Sequence, residues 1–245
     1  MLLRRMMDHV KHQNWLAVFL DFVIVVAGIL IAFQITQWNE NRRERERETY
    51  VLERLTEDVR SIQSQAHAYA RDYQRRADAA GRILQTALSD EPLPDEQPLL
   101  LEDLNQVFIR LTPIQRSPTF VELISSGELG VIQNNTLRES LIQFDLNIQS
   151  ALQSDGIQVE FWIRNGAPLF AHTILDDQLG VDWQHSAYRI GSFDFSALRN
   201  DDTQISALSW IRRMHMFAAN FSSDIATRAD ALAELLERYQ EEQQP

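Results

Sequence analysis

The chain has 245 residues, 44% of them hydrophobic, with 23 Lys+Arg against 35 Asp+Glu and a formal net charge of -12. Residues 1–47 carry 7 of the basic and 5 of the acidic groups, leaving 16 against 30 beyond them; so acidic a remainder argues against a nucleic-acid partner and offers no second docking surface for anionic lipid. Cysteine is absent, which excludes a disulfide framework, a thiolate zinc site and a cysteine nucleophile.

Residues 1–14, MLLRRMMDHVKHQN, read as a short tail. His9 and His12 stand three apart without a further ligand, so they are expected at a membrane interface rather than on a metal. The next stretch, residues 15–38, is WLAVFLDFVIVVAGILIAFQITQW. From Leu16 to Phe33 it is apolar apart from Asp21, alanine and glycine. A helix needs about 20 such residues to cross a hydrocarbon core. Trp15 and Trp38 lie 23 positions apart, roughly 35 Å along a helix, which would set one indole near each interface. A cleaved signal peptide has a shorter apolar core and ends in a small-x-small site, and Ile31-Ala32-Phe33-Gln34 offers none. The stretch predicts one retained transmembrane anchor.

Orientation is a near tie by Lys and Arg alone: Arg4, Arg5 and Lys11 precede the span, while Arg42, Arg43, Arg45 and Arg47 follow it. A short basic tail before a long acidic domain fits a signal anchor with its N-terminus in the cytoplasm. In a bacterium the domain would then be periplasmic.

Residues 39–90 predict a helical stalk and a first long helix. The Arg/Glu run at 42–48 can form i,i+4 pairs. Val51, Leu55, Val59, Ile62, Ala66, Tyr69, Tyr73, Ala77, Ala80 and Leu84 then recur at steps of three and four, one apolar stripe. The prolines between Pro92 and Pro98 break it.

Residues 99–241 predict the remaining helices. A short one is expected around Leu99–Leu111. Ser117-Pro118 signals the start of another, ended near Gly127. Asn134-Asn135 should cap a third with the stripe Leu137, Leu141, Phe144, Ile148 and Ala151, running towards Pro168 with Gly156 as a candidate bend; no sustained period follows over residues 173–202. From Thr203 a last helix places Leu208, Ile211, His215, Ile225, Leu232 and Leu236 on one face, a pattern suited to coiled-coil-like packing. The fold class is all-α: an anchor helix continuing into an elongated antiparallel bundle.

Chemistry is sparse. His67, His172, His185 and His215 are scattered, and no H-E-x-x-H, G-x-S-x-G, P-loop or G-x-G-x-x-G occurs. His215 reads as a satisfied core histidine. The pairs Asp90-Glu91, Asp176-Asp177 and Asp201-Asp202 flank turns and read as caps or solvated loops. Catalytic, cofactor-binding and metal residues are therefore none, and the chain is expected to be no enzyme.

Asp21 is the informative exception. A carboxylate in hydrocarbon costs about 2.5–3.5 kcal/mol at the helix centre. Ala17, Asp21, Gly28 and Ala32 share one helical face, and Gly28-x-x-x-Ala32 is a small-x-x-x-small pattern that permits close helix approach. The face suits a polar contact to a partner helix, a proton-carrying carboxylate, or an acid that simply reaches the interface.

The run DFVIVVAGILIAFQITQWNENRRERE resembles the N-terminal signature of a family of bacterial single-pass membrane proteins of unknown function. Asp21, Gly28, Gln34, Ile35, Trp38, Asn39 and Glu40 carry that resemblance, with Asp where many members have Glu and Thr36-Gln37 where Asn is common. SSGELGVIQNNTLRESL resembles the family's second recurring stretch. The resemblance implies a membrane protein with a helical soluble domain and supplies no activity. The anchor alone is also similar to single-pass subunits of proton-driven motors, whose soluble domains are mixed α/β instead.

Two functions follow as expectations. The first is a non-enzymatic, membrane-anchored interaction protein or accessory subunit, partnered by the bilayer and by other transmembrane helices in a homo-oligomer or hetero-complex. The second is an ion-coupled channel or motor subunit using Asp21. A ligand sensor is disfavoured, because a 14-residue tail cannot form an output domain.

Overall fold

A computed structural model describes residues 15–93, 98–170, 173–175 and 189–243. It is all-α, with six helices and one two-stranded ribbon among the described residues. Helix α1 spans Trp15–Leu88, α2 Pro98–Phe108, α3 Pro118–Ser126, α4 Asn135–Phe170, α5 Phe195–Arg199 and α6 Asp202–Gln243. Strands β1, Thr173–Leu175, and β2, Ile190–Phe193, pair antiparallel, with Thr173 opposite Phe193. By its contacts the chain divides into two units, Met1–Tyr50 and Val51–Pro245.

In the first unit α1 carries the apolar stretch. Its Arg/Glu run forms the expected i,i+4 pair, Arg42 Nε to Glu46 Oε1 at 2.8 Å, with both side chains solvated. Such an exposed pair adds only a few tenths of a kcal/mol.

The second unit is a bundle of three long helices. Along α1, Arg60 meets Glu237, His67 meets Asp230, and Gly81 faces Arg212. The partner number falls as the α1 number rises, so α6 runs antiparallel to α1. Along α4, Phe144 borders the same cavity as Leu232, and the Phe161 ring lies 5.3 Å from that of Trp210. Helix α6 is therefore antiparallel to α4 as well. It follows that α1 and α4 run parallel, a pairing that no short turn can connect.

The chain solves this with an extended return. Residues 109–117 are non-helical. Arg110 pairs with Asp155, and six residues later Arg116 pairs with Asp145. At about 3.3 Å per extended residue those six cover about 20 Å, enough to step back along ten helical residues at about 1.5 Å each. Ile114, between them, is buried in the core.

Local signals then set the ends. Ser117 Oγ accepts from the Phe120 amide at 3.0 Å, and Pro118 occupies the first turn of α3. Asp58 of α1 joins this cap, its Oδ2 accepting from Ser117 Oγ at 2.7 Å and from the Thr119 amide at 3.0 Å. Gly127 ends α3 at φ 74°, a left-handed conformation that favours glycine. Asn134 Oδ1 caps α4 through the Leu137 amide, and Asp201 Oδ1 caps α6 through Thr203 and Gln204. Helix α4 continues past Gly156 and stops two residues after Pro168.

Every residue of the α1 stripe from Val51 to Leu84 is buried except half-buried Tyr69. Leu52, Ala79, Ile83 and Ala87 are buried too, because α1 touches two neighbours rather than one. The buried apolar residues form two clusters. One lies at the Val51 end, around Leu55, Phe120, Leu141 and Leu232; the other lies at the Leu88 end, around Ile83, Leu104, Leu169 and Leu208.

Candidate functional site

Two regions hold features that packing alone does not explain. The first is the apolar part of α1. It is one helix long and apolar enough to cross a membrane, with none of its most apolar window buried. Phe22, Ile24, Val25, Ile29 and Phe33 all stay exposed, Ile29 at 64%. Asp21, Gly28 and Ala32 are exposed on this helix, and a Cβ built on Gly28 meets nothing within 4 Å. Trp38, at the far end, is 66% exposed. Trp15 and Ala17 lie on the same helix, with side chains outside the described set. Thr36 Oγ1 donates back to the Ala32 carbonyl at 3.0 Å, which satisfies the hydroxyl without water.

The second region is a polar layer across the bundle, between the two apolar clusters. Tyr73, Ala77 and Ala219 are buried there and belong to neither cluster. His215, on α6, is 3% exposed, and its Nε2 stands 2.8 Å from the Val107 carbonyl. Val107 lies in the last turn of α2, where a helix leaves carbonyls unsatisfied. The bond requires a proton on Nε2, since a carbonyl only accepts. Burial pushes the His215 pKa down to about 4, and Arg76 and Arg110 nearby add to the effect. The expectation of a satisfied core histidine holds, and its partner is now a helix end.

Around it, the Tyr73 ring lies 5.9 Å from the His215 ring, and Arg76 Cζ sits 5.7 Å from the Tyr73 centroid. Burial raises the Tyr73 pKa and lowers that of Arg76. Arg76 is 7% exposed, yet its Nε and Nη1 find no hydrogen-bond partner; neither does the buried Trp162 Nε1. A cavity of about 30 Å³ opens between Tyr73, Arg110, Asp155, Trp162, Met214 and His215. Asp155 is taken by Arg110 at 2.6 Å, and Asp72, whose charge acts on Arg76, pairs with Arg75.

The remaining candidates resolve as structure. His67 bonds Asp230 at 3.0 Å, and Asp230, which also accepts from Gln63, has its pKa held down by these contacts. A cavity of about 930 Å³ at the Leu88 end is lined by Arg82, Thr86, Ser89, Leu99 and Asp103. Arg82 there is committed to Asp103 through a two-bond fork of 2.8 and 2.5 Å. No group of three His, Cys, Asp or Glu among the described residues could hold a metal ion. His9, His12, His172, His185 and the Asp176-Asp177 pair lie outside the described residues.

Comparison with models of protein families, with curated proteins and with solved structures finds no match.

Sequence periodicity missed Arg76 and Asp155, because a charged residue on a helix defaults to a solvated face, and Arg110, which lies in the non-helical return. Arg76 carried one usable signal: it lies three residues after Tyr73 and four before Ala80, on the same helical face as both.

Proposed function

We propose that this chain is a single-pass membrane protein, anchored by residues 15–38, whose helical domain works through protein contacts as an oligomer or an accessory subunit. The observation that carries the reading is the first half of α1, whose aliphatic and aromatic side chains stay exposed around the helix. In water such a surface is unstable as a monomer; in lipid it needs no partner, and its backbone is satisfied within the helix. A short basic tail before a long acidic domain favours the bacterial inner membrane with the N-terminus cytoplasmic and the domain periplasmic, against a Lys and Arg count that nearly ties across the span. On this reading the face of Ala17, Asp21, Gly28 and Ala32 seats a second transmembrane helix, and Asp21 gives that contact its polarity. No catalytic role is assigned.

Purification in native nanodiscs, with a particle mass and mass spectrometry of whatever co-purifies, tests this. A discrete oligomer or heteromer supports it. A bare monomer, with Asp21 facing lipid, overturns the assembly reading.

Asp21 also supports a second reading, an ion-coupled subunit in which the carboxylate carries a proton. Asp21→Asn separates the two: a contact role keeps assembly and activity, whereas a carrier role keeps assembly and loses ion-dependent function.

A further inference from the structure

We propose that the polar layer is an acid-released latch: His215 ties α6 to the end of α2, and its protonation lets the Leu88-end half of the bundle open while the Val51-end half stays folded. Four observations converge on this. The apolar core is divided in two, and the layer between holds Tyr73, Arg76, Arg110, Asp155 and His215 instead of a continuous apolar seam. The His215 bond to Val107 spans 108 residues of sequence and closes an otherwise unsatisfied helix end. Arg76 and Trp162 carry buried donors that no protein group among the described residues satisfies, so the layer is not closed by a complete set of protein hydrogen bonds. Finally, the latch is asymmetric, since among the described residues the Val51-end half contains no buried histidine; His67 is close to half exposed.

The charges facing His215 set the direction of the switch. Helix α1 presents Arg76, with Tyr73 neutral between them and Asp72 paired to Arg75. The return segment presents Arg110, and α4 presents Asp155, already paired to that arginine. Helix α6 itself adds the exposed Arg212 and Arg213. A proton on His215 would thus create a buried cation near two others, with the nearby carboxylates already engaged. Opening the half returns the ring to water, where it takes the proton at an ordinary pKa.

The test is hydrogen exchange of the full chain in nanodiscs at pH 7 and pH 5, corrected for the intrinsic exchange rate. A histidine that titrates near 4 closed and near 6.5 open raises the open population roughly 20-fold over that interval, while most carboxylates stay ionised. Protection should therefore fall about that much in residues 79–87 and 202–211. It should hold in residues 52–66 and 225–236. In His215→Gln, whose amide can still donate to Val107 but does not titrate, the pH response should vanish. Equal loss in both halves of the native protein overturns the latch, and that comparison needs no variant. A pH response that survives unchanged in His215→Gln overturns the role of His215.

Discussion

Helix α1 carries two kinds of apolar surface along its sequence. Between Phe19 and Trp38 its large side chains face outward, and between Val51 and Ala87 they face inward. The two regions draw on the same residue types and differ in pattern. The first is apolar all round, so no orientation can hide it from water. The second alternates an apolar stripe with Arg, Glu, Gln and Asp, so one orientation hides it completely. Periodicity, more than hydrophobic content, therefore says whether a helix is to be covered by protein or by something else.

The sharpest way to break this comparison is a crossed pair of substitutions. Leu55→Ala, at a fully buried site, should cost about 2–5 kcal/mol of bundle stability, read by thermal or denaturant unfolding. It should leave the membrane-bound fraction unchanged. Val25→Arg should do the reverse, opposing insertion by about 2.5–3.5 kcal/mol and lowering the carbonate-resistant membrane fraction while bundle stability holds. If either variant moves both readouts equally, the two regions are not governed by different solvents.

Arg116→Ala probes the return segment. Asp145 is nearly buried and accepts from Arg116 at 2.6 and 2.8 Å. Removing the cation strands that carboxylate, with only the Gln149 amide left to it, and should cost about 3 kcal/mol in denaturant unfolding. An effect below about 1 kcal/mol would mean that the pair behaves like a surface pair.

The pH dependence has a definite sign. Burial lowers the His215 pKa in the folded chain from an ordinary 6.5 to about 4, so the unfolded chain binds the extra proton first. Its contribution is complete above pH 6.5 and is lost as pH falls towards 4, up to about 3 kcal/mol. Urea unfolding at pH 7, 5.5 and 4.5 measures it, with His215→Gln as the flat reference. The smallest effect belongs to Glu46→Ala: its exposed pair with Arg42 should contribute under about 0.5 kcal/mol to helicity, read by circular dichroism.

Much of the fold was legible because its signals are local. The stripes of α1 and α6, the Ser117-Pro118 start, the Gly127 stop and the Asn134 cap each depend on residues within a few positions. What was not legible depends on distant partners. Periodicity states that a face is buried and is silent on how many neighbours bury it, which is why Leu52 and Ile83 escaped the stripe. The parallel relation of α1 and α4 follows only from where each meets α6, through pairs such as Arg60 with Glu237 and Phe161 with Trp210. Asn105 is similar: its side-chain amide brackets Ile190 by accepting from its N–H and donating to its carbonyl, a strand-like pairing that no spacing announces. Asp21, Gly28, Ala32 and Trp38 lie on the helix that the apolar run predicts and are all exposed there.

The most direct test of the central claim, that one helix is built for two solvents, is collision accessibility of spin labels in nanodiscs. The chain has no native cysteine, so Leu30→Cys and Thr227→Cys give unambiguous attachment sites. Both positions are exposed in the structure. The label at Leu30 should collide with dissolved oxygen far more than with an aqueous nickel chelate, with the order reversed at Thr227. Equal access of the chelate to both positions would contradict it.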